Sequence, residues 1–319
     1  MRILAWHVHG SWMTAFVQGN HEYLVPVLPD RGPDGLGRAR TYPWPESVRE
    51  VTPEQLRDEP VDLVVLQRPH ELDLVHQWTG RRPGVNLPAV YVEHNTPRGD
   101  VTGWRHHLAD RRDIPVVHVT PFNAAMWDNG DAPVRVIEHG VPDPGYRYTG
   151  ELESLGFVCN EPVRRARVGG TDLAARIAAE VPVHVYGMGL AGVAEIFPAG
   201  LAGTDEDLPQ AELHRRLPQH RAYLHPYRWT SLGLALIEAM ALGMPVLVLA
   251  ATAAPEAVAP GAGLVTADVD ALTDAAAKLV ADRDLAREQG LVARRCALER
   301  FGIGRFLSDW DRITQEVAR

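Results

Sequence analysis

Short apolar runs recur along the chain and alternate with stretches of helical spacing. Arg2–Val8, Tyr23–Val27, Val61–Leu66, Ala89–Val92, Pro115–Val119 and Val134–Ile137 read as strands, most of them buried on both faces. Gly103–Asp110 and Phe122–Asn129 predict helices between them, and Asp30–Pro45, dense in Gly, Pro and Arg, predicts loop. The alternation restarts after Pro142. Leu155–Cys159, Pro182–Tyr186, Tyr223–His225 and Val246–Leu249 predict strands. Thr171–Glu180, with Thr171 or Asp172 as cap, Ala271–Ala281 and Asp284–Glu299 predict helices. The pattern is that of two α/β halves, each with a parallel sheet. Pro142–Glu153 holds Pro142, Pro144, Gly145 and Gly150 with few aliphatics, which marks an interdomain linker. The expected domains are 1–145 and 146–304, followed by an amphipathic terminal helix over 305–319 through Phe306, Trp310, Ile313 and Val317.

The stretch 229–258 breaks the amphipathic rule. Leu232–Leu242 is apolar on almost every face, as a helix buried all round would be. Thr230 and Ser231 suit its N-cap, and Gly243 suits its C-cap. Glu238 is its single charge, costly there unless hydrogen-bonded. Gly233 would let a ligand approach the backbone, and the free N–H groups beside it would form an anion site. Glu238, about two turns further on, would accept from hydroxyls. Phosphate at one end and hydroxyls along one side describe a sugar nucleotide. A capped core helix whose Glu reaches the surface explains the same spacing.

Resemblance separates the two. Gly233, Leu234, Glu238, Ala239, Met240, Ala241, Gly243, Pro245 and Val246 resemble the donor-binding segment of retaining GT-B glycosyltransferases of family 4, and Ala254-Pro255-Glu256 resembles the Gly-x-Pro-Glu that follows there. Thr230 stands where that family carries its first Glu. The resemblance implies a GT-B fold: two Rossmann-like domains with parallel sheets facing a central cleft, an N-terminal acceptor domain, a C-terminal donor domain, and a last helix crossing back to the first. It implies donor contacts from Thr230, Ser231, Leu232, Gly233, Leu234 and Glu238, with Glu238 on the ribose. Tyr186-Gly187-Met188-Gly189 resembles the family's Gly-x-Gly, with Gly187 and Gly189 leaving room for the nucleoside. His9-Gly10-Ser11-Trp12 stands where the family has a Gly-Gly loop near the donor phosphates, a partial match through Gly10. His94, at a strand end, falls where the family has a histidine facing the donor sugar; a surface histidine paired with Glu93 is the plain alternative.

Composition narrows the partners. A net charge of −9 favours neither nucleic acid nor an anionic membrane as main partner. No apolar run approaches the ~20 residues of a membrane helix. Two cysteines, Cys159 and Cys296, make no disulfide framework, so a reducing cytoplasm is the expected compartment.

A departing diphosphate needs positive charge. Four Asp-x-Asp pairs, starting at Asp205, Asp268, Asp282 and Asp309, follow no convincing strand and are set aside as metal ligands. The basic loop Pro162–Gly170 lies between a strand end and a helix, where ligands bind in open α/β sheets. Its Arg164, Arg165 and Arg167, with the Gly169-Gly170 pair, suit phosphate, and either Arg165 or Arg167 would match the family's lysine. The family's arginine position holds Asn160. The expected activity is metal-independent, retaining hexosyl transfer without a cofactor. A GDP-, UDP- or dTDP-linked sugar would be co-substrate, and a small molecule, glycan or lipid the acceptor. His94, Arg165 and Arg167 would serve the chemistry, through positioning and electrostatics. The rivals are a GT-B-fold nucleotide-sugar epimerase, for which Glu93 is the tempting carboxylate, and an inactive sugar-nucleotide-binding partner.

Overall fold

In a computed structural model describing residues 1–319, the first half forms seven parallel strands. They are β1 (Arg2–Ala5), β2 (Glu22–Pro26), β3 (Val48–Val51), β4 (Leu63–Leu66), β5 (Ala89–Glu93), β6 (Val116–His118) and β7 (Val134–Val136), in the order β3-β2-β1-β4-β5-β6-β7. Six strands form the second sheet: β8 (Leu152–Val158), β9 (Val183–Gly187), β10 (Leu201–Glu206), β11 (His220–His225), β12 (Val246–Leu249) and β13 (Gly263–Thr266). Their order is β10-β9-β8-β11-β12-β13, again all parallel. Central strands such as LVVL in β4 are buried at every position, so each Val or Leu contributes about 1.5–3 kcal/mol of apolar burial. The strands that the apolar pattern did not announce, β3, β10 and β13, pair on one side only. β10 alternates half-buried and exposed residues throughout, and β3 places Arg49 and Glu50 between two buried valines.

Two units emerge from the packing: 1–141 together with 303–319, and 142–302. These bounds stand beside the expected 145 and 304. The expected linker is held against the second unit, where Arg147 and Tyr148 donate backbone N–H groups to the Leu242 carbonyl (3.0 and 3.2 Å). In the first unit, the helix Ile303–Val317 lays Trp310 against Trp12 and Phe16, with ring centroids 5.6 and 5.0 Å apart. Trp12 is 1% exposed, so it anchors this helix rather than lining a loop. Asp311 adds a contact to His21 (3.0 Å), and Arg305 donates to the carbonyls of Glu138 and His139.

Gly103–Asp110 is not a helix. Only a 3-10 turn, Val101–Gly103, forms. Trp104 and His106 instead bond the backbone of Asp128 on either side, which draws the segment extended and turns His106 inward.

Candidate functional site

In the second unit, chain order reverses direction across the sheet between β8 and β11, and the carboxyl ends of two such strands frame a ligand crevice. The exits of β8 and β9 are zipped together. Asn160 accepts through Oδ1 from the Met188 N–H (3.0 Å), and Glu161 N–H donates to the Met188 carbonyl (2.6 Å). Gly187 is required here because a Cβ would run into the Cys159 carbonyl oxygen. Gly189 sits at φ +66°, and its N–H and that of Leu190 go to the Glu206 carboxylate (2.8 and 3.2 Å).

The basic loop is sorted by its ion pairs. Arg164 is exposed and bonds Glu161. Arg167 is exposed and bonds Asp172 (2.9 Å). Asp172 also takes a two-pronged bond from Arg228 (2.6 and 2.8 Å), joining this loop to the exit of β11. Against its burial, Arg228 and Arg167 hold the Asp172 carboxyl below its usual range. Asp172 therefore works as an ion-pair hub and not as a cap. The cap position of helix Thr171–Ala178 is Gly170, and the Thr171 hydroxyl goes to the Pro162 carbonyl (2.8 Å). Arg165 is half-buried, and its guanidinium meets no carboxylate. The glycine pair has a packing role: a Cβ on Gly170 would collide with the Pro226 carbonyl, and one on Gly169 would stand 2.8 Å from the Cys159 sulfur.

The apolar helix runs Leu234–Leu242, two residues shorter at its start than expected. Its N-cap is Gly233 and no side chain caps it, so Thr230 and Ser231 do not fill the role predicted for them. The Ser231 carbonyl instead accepts from Ala253 N–H (3.3 Å). Thr230 and Leu234 are half-buried, and Leu232 is buried. The uncapped start retains the positive end of the helix dipole. The space over Gly233, expected to admit a ligand, holds the His225 ring, whose Cε1 would be 2.5 Å from an added Cβ. Burial pushes the His225 pKa down to about 3, so that ring is neutral. Glu238 is 7% exposed and satisfied by two partners: Gln210 donates at 3.2 Å and His214 lies at 3.5 Å. Both come from helix Gln210–Arg216, which the sequence pattern did not mark.

The corresponding edge of the first unit is built from imidazoles and indoles. β1 leads through His7 and His9 into the helix Gly10–Phe16. Gly10 lies under the Tyr42 ring, 2.8 Å from an added Cβ, and the Tyr42 and Ser11 hydroxyls are 3.3 Å apart. His94, just past β5, stacks near His9 (4.2 Å) and Trp12 (5.0 Å). Its Nε2 lies 3.1 Å from the Gln67 side-chain oxygen. Burial, with His9 and His139 adding, pushes its pKa well below the usual histidine value. Glu93 points the other way: it accepts from Asn95 N–H (2.7 Å) and faces buried His106 (3.4 Å). The epimerase rival's carboxylate is thus 6% exposed and already partnered, and it is not paired with His94. Among the Asp-x-Asp pairs, Asp268 and Asp282 cap helices, Asp205 pairs with His184 and Arg216, and Asp309 with Arg305.

The structure therefore gathers Arg164, Arg165 and Arg167 with Arg228, and the Gly187–Gly189 turn with Asn160. His94 and Gly10 belong to the other unit. Gln67, Gln210, His225 and Asp172 were not foreseen as site residues. Gln67 and His225 carried a sequence sign, as polar residues ending apolar runs, and Asp172 carried one only as a helix cap.

The family described as "Glycosyl transferases group 1" matches residues 172–282, which is most of the second unit. No curated protein sequence is significantly similar to the chain. Among solved structures, sucrose-phosphate synthase from Thermosynechococcus elongatus superposes with a TM-score of 0.74 at 15% identity, covering 99% of this chain and 98% of that one. HepE of Anabaena, in complex with UDP-glucose, gives 0.70 at 15%, covering 99% and 100%. A glycosyltransferase from Rickettsia africae gives 0.68 at 12%, covering 100% and 98%.

Proposed function

We propose that this chain, a glycosyltransferase of the GT-B type by its second-domain signature and its fold, moves a hexose from a nucleotide-diphosphate sugar to an acceptor hydroxyl, with retention and without a metal ion. Arg165 carries the reading. Four guanidinium groups, of Arg164, Arg165, Arg167 and Arg228, face two carboxylates, Glu161 and Asp172. Two positive charges are left over at a sheet switch point, which suits a diphosphate. Arg165, the guanidinium without a carboxylate, stabilises the charge that grows on the leaving group. Arg164 and Arg167 set the field around it, and the uncapped start of helix Leu234–Leu242 adds its dipole. Glu238 takes the ribose hydroxyls, giving up Gln210 in exchange. His94 meets a substrate hydroxyl.

Mixing the protein with UDP-, GDP- and dTDP-hexoses, with and without a panel of acceptors, tests this. UDP-glucose comes first, because HepE, of similar fold, binds it. Nucleotide release that survives chelator, and a product with the donor's anomeric configuration, are expected. Absence of calorimetric heat with every nucleotide sugar would sink the reading.

Thr230 favours one second reading. A shorter, uncharged group where the family it resembles carries Glu would weaken the hold on the donor sugar, as in an inactive binding partner. Arg228 offers no replacement, because both its prongs are spent on Asp172. Binding without nucleotide release, unaltered by Thr230→Glu, would favour the partner. A changed sugar preference in Thr230→Glu would favour the transferase, acting on a hexose that lacks or masks one hydroxyl.

A further inference from the structure

We propose that Gln67 is a positioning residue that holds the proton of His94 on Nε2, so that His94 meets its substrate with a bare Nδ1 and accepts a hydrogen bond from a hydroxyl instead of donating one to an anion. This rests on His94 as a substrate contact. The tautomer itself follows from the first domain alone.

The argument is one of forced polarity. The main-chain carbonyl of Trp6 can only accept. The Gln67 side-chain atom 2.7 Å from it must therefore be the NH2 group. The atom turned to His94, 3.1 Å from Nε2, is then the amide oxygen, which can only accept. His94 Nε2 must carry the hydrogen, and in a neutral imidazole the other nitrogen is then a lone pair. Flipping the amide would set a carbonyl oxygen against a carbonyl oxygen, so the assignment does not depend on seeing hydrogens.

Gln67 is fixed for the task. It is 4% exposed, its own N–H goes to the Glu71 carboxylate (2.6 Å), and its carbonyl accepts from the Tyr91 hydroxyl (3.3 Å). Three strands thus converge on one side-chain amide: β1 through Trp6, β4 through Gln67 itself and β5 through His94. Burial keeps the imidazole uncharged. The hydrogen bond that the His94 ring makes is through Nε2. An imidazole in this state is a poor partner for a departing diphosphate and a good one for a sugar hydroxyl.

The full chain, labelled with 15N-histidine, tests the idea. The His94 signals are assigned by their loss in His94→Ala. In the wild type at neutral pH, Nδ1 should resonate as a bare ring nitrogen and Nε2 as a protonated one. Gln67→Met keeps the volume and removes the acceptor, so the tautomers should mix. Gln67→Glu still turns a carboxylate oxygen, an acceptor, towards Nε2 and should keep the proton there. With an active donor and acceptor pair, kcat should fall by about two- to tenfold in Gln67→Met, the range of one hydrogen bond between neutral groups. KM for the donor should move less, and Gln67→Glu should recover most of the loss. A wild-type His94 protonated on Nδ1, or a Gln67→Met spectrum matching the wild type in a folded protein, overturns the proposal. Tautomer control seen by NMR in a chain that turns over no sugar nucleotide would leave the assignment of Gln67 standing and fail the transferase reading.

Discussion

The two sheets end in chemically opposite edges. The first unit holds seven of the eight tryptophans and ten of the fourteen histidines. Its edge is a set of rings: His9, His94, Trp12 and Tyr42. The edge of the second unit holds an arginine loop and its two carboxylates. Neutral rings recognise hydroxyls and apolar faces without paying to desolvate a charge. A surplus of guanidinium serves a group that gains negative charge as it leaves. One doubly wound architecture thus appears twice with unlike edges, and the difference is set by loop residues laid on similar frames.

Removing the aromatic anchor is the largest break in that comparison. Trp310 is 2% exposed and packs between Trp12, Phe16 and Phe306. Trp310→Ala should cost about 3–5 kcal/mol, confined to the first unit. Urea unfolding followed by hydrogen exchange should show the first sheet opening early while amides of β8 and β11 keep their protection. Equal loss in both units would mean that they fold as one cooperative body. Arg165→Ala comes next. It should lower kcat/KM by about 10²–10³-fold, the usual cost of removing a donor to a developing anion, with unfolding unchanged. A loss below about tenfold would move the diphosphate contact elsewhere.

These two residues also show what was legible in the sequence. Trp310 was visible as part of an amphipathic face, since periodicity alone reveals a buried stripe. Arg165 was visible only as one of three arginines. Its distinction is that Glu161 and Asp172 claim the other two, and pairing is not written in spacing. The parallel sheets followed from their apolar central strands, whereas β3 and β10, half polar at sheet edges, left no such mark. Gly103–Asp110 failed because its backbone finds Asp128 as a partner, a choice made by tertiary contact. Gln67 and His94 are 27 residues apart in the chain and meet only because β4 and β5 are neighbours.

A pair of glycines sharpens the contrast at smaller scale. Gly10 and Gly233 each follow a strand of their sheet and stand at the start of a helix, and each lies under a ring. Neither has a positive φ, so the ring is the whole obstacle to a Cβ. Over Gly233 the ring is His225, 2% exposed and unable to swing away. Gly233→Ala should cost about 1–3 kcal/mol by overpacking, and His225→Ala should restore part of it in a double-mutant cycle. Over Gly10 the ring is Tyr42, half-buried where His225 is buried. Gly10→Ala should be near neutral, because about 0.5–1 kcal/mol of helix preference offsets the displaced ring. Equal costs at the two sites would show that Tyr42 is as firmly held as His225.

The smallest expected effect decides how the arginine loop divides its labour. Arg164 is largely exposed and already bonded to Glu161, which is itself exposed. Cutting Arg164 to Ala leaves that carboxylate in water, where it needs no partner. Stability should stay close to that of the wild type, as for other exposed pairs. In turnover, Arg164 offers only a screened field, so the loss in kcat/KM should stay within about fivefold and should shrink further as salt is added. Arg165, half-buried, is shielded from salt, and the cost of its removal should change little between low and high ionic strength. The salt dependence therefore separates the two arginines even if their losses at one condition look alike. Were Arg164→Ala to cost as much as Arg165→Ala at high salt, the Glu161 pair would have to open on donor binding, and the charge that meets the diphosphate would be supplied by both.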